Sequence, residues 1–150
     1  MHARHSRLIG ILVCALALAA LSCGKEPGFE RVPDAKVDAR QRLLAEDFAK
    51  AYFGRMREGR FEPLGDEATA EMRSALTPER QKESYESLVK TIGGFESLAY
   101  AETWRGNANG NTIFRFRARF GTQEPEVRVV LDPAGKVGGF WVKPWKDGLE

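Results

Sequence analysis

Histidine and cysteine are nearly missing from this chain. Two of each occur in 150 residues, and all four, His2, His5, Cys14 and Cys23, fall within the first 23 positions. From Gly24 onward there is neither a thiol nor an imidazole. Zinc sites built on Cys or His, Ser-His-Asp and Cys-His nucleophiles, and histidine acid-base chemistry are therefore excluded from that part of the chain. No metal and no cofactor is expected. A disulfide is excluded as well, and a core of this size does not require one. Long apolar runs are also missing: the longest, Leu8 to Leu21, has 14 residues, whereas a helix that crosses a bilayer takes about 20. Nor is there an excess of one charge, with 23 basic against 21 acidic residues.

What the first stretch does contain is an address. Arg4 and Arg7, with no acidic residue before Cys23, form a positive segment ahead of the apolar run, the pattern of a secretory signal. The run closes on Ala20-Leu21-Ser22-Cys23, which resembles the lipobox of bacterial lipoproteins. The resemblance implies diacylglycerol transfer to the Cys23 thiol and cleavage before it. Two or three acyl chains on one cysteine make a stable anchor, each contributing about 0.8 kcal/mol per buried CH₂. The alternative is an ordinary signal cleaved elsewhere. Gly24, in the position where lipoprotein sorting associates Asp with inner-membrane retention, points to the outer membrane, facing the periplasm, if the envelope is Gram-negative.

Removing residues 1–22 leaves 128, enough for one domain. Arg4 and Arg7 leave with the signal, so the remainder carries 21 basic and 21 acidic residues. A neutral domain gives no argument for nucleic acid, and none is expected as a partner. Residues 23–36, with two prolines, two glycines and mixed charge, read as a flexible tether. The alternative is that Phe29 or Val32 docks on the domain, which is expected to occupy residues 37–150.

Within that domain, Val37 to about Gly59 places Leu44, Phe48, Ala51, Tyr52 and Met56 at helical spacing. Phe61 to Ala75 reads as a shorter second helix despite Pro63 and Gly65. The third is sharper: Thr77 precedes Pro78 as a hydroxyl N-cap, Tyr85, Leu88, Val89 and Ile92 share a face, and Gly93-Gly94 stops it. From Phe95 the period changes to two. Strands are expected over Ser97–Arg105, Thr112–Phe120, Glu126–Leu131 and Val137–Lys143, separated by turn-forming Asn, Gly, Asp and Pro. The expected fold is α+β, with three N-terminal helices packed on a four-stranded antiparallel sheet.

The segments Glu58-Gly59-Arg60-Phe61, Leu76-Thr77 through Leu88 and Gly94-Phe95, and Gly135 to Phe140 with Pro144 resemble the small domain catalogued as domain of unknown function 3887. The likeness covers about residues 45–145, with Tyr85 where that pattern more often has tryptophan. It implies membership of the ketosteroid-isomerase-like, nuclear transport factor 2 superfamily, whose curved sheet wraps its helices into a cone that can hold a pocket. Relatives often precede an α/β-hydrolase, but no G-x-S-x-G occurs here, so no hydrolase activity is carried over.

Two surfaces then qualify as sites. Phe48, Tyr52, Tyr85, Phe114, Phe116, Phe120 and Phe140 would line an apolar pocket at the mouth of the cone, or else form the core that any such sheet must bury. Arg115, Arg117, Arg119, Arg128 and Lys143 would form a partner or anion surface on the opposite face, or else pair with Glu102, Glu124 and Glu126 across strands. The superfamily resemblance implies that this face is also the surface for a homodimer, aided by Trp104, Trp141 and Trp145. The favoured function is a non-catalytic, lipid-anchored module that binds a small molecule or an envelope protein. The alternative is a small isomerase- or dehydratase-like enzyme using a pocket carboxylate, Asp47 or Glu102, with Tyr52, Tyr85 or Tyr100 as hydrogen-bond donor.

Overall fold

The computed structural model describes residues 28–149. The expected signal peptide and Cys23 lie outside the described residues. In chain order the elements are strand β1 (Phe29–Val32), a 3-10 turn (Asp34–Lys36), helices α1 (Ala39–Arg57), α2 (Ala70–Ala75) and α3 (Pro78–Ile92), and strands β2 (Phe95–Gly106), β3 (Thr112–Phe120), β4 (Glu126–Leu131) and β5 (Val137–Lys143). The strands form one open antiparallel sheet in sequence order, β1-β2-β3-β4-β5, with β1 and β5 at its edges.

This corrects the expected architecture. The sheet has five strands, not four, and the helices follow the first strand instead of leading the chain. The extra strand lies in the segment that composition marks as tether. Its four residues sit ahead of Pro33 and carry too short an alternation to announce a strand. What makes them one is a distant partner: Phe29 to Val32 pair with Gly106 to Thr103 on the long strand β2. That pairing satisfies the edge of β2, which an open meander would otherwise expose. Val32 turns inward and is buried, and Pro33, with no N–H to donate, ends the ladder.

Local chemistry sets the helix ends. The Asp38 carboxylate accepts from the Arg40 and Gln41 amides at 2.9 and 3.1 Å and starts α1. Thr77 accepts from Arg80 N at 3.4 Å, and Pro78 occupies the first position of α3, where its missing N–H is no loss. Gly93, at φ +98°, ends α3 against Gly121 of the β3–β4 turn. The second helix is shorter than its pattern suggested. Residues 61–69 run irregularly instead, held by a bridge between Ala68 and Val137, before Thr69 caps α2. Gln81, fully buried on α3, secures this loop by donating to the carbonyls of Glu62 at 2.8 Å and Leu76 at 2.9 Å.

The core lies between α1 and one face of the sheet. Ala45, Phe48, Ala49, Tyr52, Phe53 and Met56 make the buried stripe of α1. Phe53 stacks on Phe95 with ring centroids 4.7 Å apart and meets Phe120 edge-on at 5.2 Å. Phe114, Phe116 and Phe120 of β3 are completely buried beside Val127, Val129 and Leu131 of β4. Each such side chain contributes roughly 1.5–3 kcal/mol through burial.

Candidate functional site

Alternation along the strands sends Glu102, Arg115, Glu126 and Arg128 to the face opposite the helices. Register places Glu102 beside Arg115 and Arg115 beside Arg128. Arg31 of β1 joins them, giving a row of alternating charge across four adjacent strands. Arg115 Nη1 donates to Glu102 Oε1, and Nη2 donates to Glu126 Oε2 at 2.7 Å; Arg128 Nε donates to Glu126 Oε1 at 2.6 Å. Arg31 Nε stands 3.5 Å from Glu102 Oε2, and the Trp104 indole N–H donates to Glu102 at 3.0 Å. Burial pushes the Glu126 carboxyl up, but hydrogen bonds from Arg115 and Arg128 and their charges outweigh it and hold the group below its ordinary range. Burial works against the Arg115 charge, and its two carboxylate partners overcome that as well.

The chain beyond β5 folds back over this row. Lys146 offers its carbonyl to Arg115 Nη2, and the Trp145 ring lies 4.3 Å from the Arg115 guanidinium carbon and 3.9 Å from that of Arg117. Arg115 is thereby sealed from solvent. Of the other cations expected to form a surface, Arg117 and Arg119 are exposed, and Arg119 stands 3.6 Å from Glu124. Arg128 is held by Glu126, and Lys143 is half-buried opposite Glu126 in the ladder. The row is thus engaged within the chain, and an outer-face homodimer would form over or around residues 144–146.

The other candidate surface separates into two parts. Phe114, Phe116 and Phe120 are core, packed without access from outside. Tyr52, Tyr85 and Phe140 instead line a cleft of about 250 Å³ between α3 and β5, while Phe48 lies behind Phe140 with rings 5.5 Å apart. A second cleft of about 380 Å³ continues the first, sharing Leu88 and Val142 and adding Ile92, Pro125, Pro144 and Trp145. Together they make an apolar groove. Phe140, Trp141 and Val142 all line it although they alternate between sheet faces, so the groove opens against the edge of β5. On that edge the only bridge among the described residues is at Val137. Nothing in the local sequence pattern marks Val142 or Trp145 as pocket residues, because lining the groove depends on β5 ending the sheet.

The groove's chemistry is apolar with hydroxyl accents. Burial raises the Tyr52 phenol above its ordinary range, with Arg55 opposing, so Tyr52 is a neutral hydrogen-bonding group at any physiological pH. Tyr85 is half-buried at the same wall. Of the carboxylates named for catalysis, Asp47 is exposed on α1 and Glu102 is locked into the charged row on the far face. Tyr100 donates to or accepts from Thr103 at 2.9 Å and faces Arg42, away from the groove. Tyr52 and Tyr85 thus share the groove, but neither Asp47 nor Glu102 lines it beside them.

Among the described residues no helix is long and apolar enough to cross a membrane. Compared with protein-family models, curated proteins and solved structures, the chain matches none, and the resemblance in its motifs stands on those motifs alone.

Proposed function

We propose that this is a lipid-anchored envelope protein whose domain is a non-catalytic interaction module, and that its contact site is the groove between α3 and β5. Two features support the reading. The sequence ends its apolar leader on a lipobox-like Ser22-Cys23, and the observation that carries the site is the pairing of an apolar groove with an open strand edge. An edge strand offers a row of backbone donors and acceptors, and the groove beside it offers apolar surface for alternate side chains. That combination takes an extended apolar segment of another protein as an added strand. Tyr85, Leu88 and Ile92 of α3 form the wall against which such a segment packs, and Trp145 closes its far end.

The test uses two short peptides of alternating Val and Thr, one plain and one N-methylated at every second residue. Binding is followed by tryptophan fluorescence, since Trp141 and Trp145 line the groove. The plain peptide is expected to bind saturably, and the methylated one at least ~10-fold more weakly, because strand addition depends on main-chain hydrogen bonds. Leu88→Asp is expected to abolish both. Equal binding of the two peptides would show apolar contact without strand addition, and no binding of either would remove the reading.

A further inference from the structure

We infer that the domain rests on the bilayer through the end that carries Phe29, Leu43 and Leu44, so that the α3–β5 groove faces away from the membrane. The inference rests on the lipid-anchor reading and adds an orientation to it.

Its first support is the length of chain left for the tether. With β1 in the sheet, the domain begins at Gly28, whose carbonyl accepts from Asn107 N at 3.0 Å. Five residue steps separate Gly28 from Cys23, and fully extended they reach at most about 17 Å. A domain of about 120 residues is roughly 35 Å across. The anchor is therefore too short for the domain to turn its far end to the lipid.

The second support is what lies at the anchored end. Phe29 pairs with Gly106, Thr112 pairs with both Arg105 and Leu131, and Gly110 lies against Pro133. The β2–β3 and β4–β5 turns thus sit together beside the start of β1. The first turns of α1 join them, since Asp38, Arg40 and Leu44 border Pro133, Ala134 and Gly135. Five large apolar side chains are markedly exposed among the described residues, and three of them, Phe29 at 50%, Leu43 at 51% and Leu44 at 48%, belong to this end. Leu43 and Leu44 of α1 and Phe29, on the opposite sheet face with Arg31, flank the end where a lipid anchor leaves the fold, and exposed apolar side chains there suit the headgroup and acyl boundary. Charge adds little, because Arg40, Arg105 and Lys136 are offset there by Glu30, Asp38 and Asp132.

The groove lies the other way. Gln123, Glu124 and Pro125 of the β3–β4 turn, with Pro144 and Trp145 beyond β5, form its wider cleft. These residues are at the opposite strand ends, as the pairings of Phe95 with Phe120 and of Glu126 with Lys143 show. A groove so placed meets proteins of the aqueous compartment and not the acyl chains of its own membrane.

The experiment uses the lipidated full chain in phosphatidylcholine vesicles that contain a small fraction of lipid with a nitroxide headgroup. With Cys23 blocked by lipid, a single fluorophore is placed at Ala108→Cys, in the β2–β3 turn, or at Thr122→Cys, in the β3–β4 turn; both positions are exposed. The label at 108 is expected to be quenched several-fold more than the label at 122. Replacing Phe29, Leu43 and Leu44 by Ser is expected to shrink that difference, while Val89→Ser, an exposed apolar residue elsewhere, leaves it intact. Equal quenching, or stronger quenching at 122, overturns the orientation while the anchor reading stands. If the chain acquires no lipid and Cys23→Ser leaves its membrane retention unchanged, the anchor reading fails and the orientation with it.

Discussion

Arg115 and Glu126 meet at 2.7 Å with neither side chain exposed, on the sheet face that the helices leave uncovered. The pair is the centre of the charged row, and each member has a second partner of opposite charge, Glu102 and Arg128. A buried ion pair is weak evidence of net stability, because desolvation of both charges offsets their attraction. It does make the site intolerant of losing one member.

Replacing Arg115 with Met therefore leaves Glu126 buried with Arg128 as its one remaining cation in the row. The expected cost is about 3–5 kcal/mol, the usual penalty for breaking a buried pair from one side. Urea unfolding at pH 7 measures it. Arg119→Met is the comparison: Arg119 and Glu124 are both exposed at 3.6 Å, and their loss is expected to cost under ~1 kcal/mol.

Glu126 also makes stability depend on pH in a stated direction. Its folded carboxyl titrates below the ordinary value, so the unfolded chain binds its proton first as pH falls. The contribution is complete above about pH 4.3, the unfolded value, and is lost as pH drops through the folded value. Glu126→Gln is expected to lower stability at pH 7 and to flatten the decline below about pH 4. An unchanged acid slope in unfolding measured from pH 7 to pH 3 would contradict this.

Gly93→Ala tests the joint between α3 and the sheet. The residue sits at φ +98°, and an added Cβ would lie 3.1 Å from the Gly121 Cα. Both effects oppose the substitution, which is expected to cost more than about 1 kcal/mol in thermal or urea unfolding. At Gly94 nothing lies within 4 Å of an added Cβ, and the same change there is expected to stay within about 0.5 kcal/mol.

The parts legible in the sequence were those written locally. Thr77-Pro78 and Gly93-Gly94 mark both ends of α3, and the alternation of Phe with Arg from 114 to 120 marks β3 and assigns its faces. The parts that were not legible depend on distant partners. Phe29–Val32 is a strand because β2 runs long enough to need a neighbour, and nothing in four residues announces that. Alternation marks Arg115 as outward, which it is, yet burial comes from Trp145 and Lys146 returning over it without any periodic signal. The groove is legible only in part: the pocket expected from the sequence includes Tyr52, Tyr85 and Phe140, which line it, but also Phe114, Phe116 and Phe120, which do not. Phe114, Phe116 and Phe140 look alike in the pattern, but only Phe140 stands on the strand that ends the sheet, and so only it borders an opening.

The central claim is that the free edge of β5 receives an added strand beside the α3 groove. Amide hydrogen exchange across Gly139 to Lys143, with and without the alternating Val/Thr peptide, tests it most directly. The account predicts that alternate amides of β5, those not bonded to β4, become slow to exchange when the peptide is bound. Bound peptide with no gain of protection anywhere on β5 would contradict it.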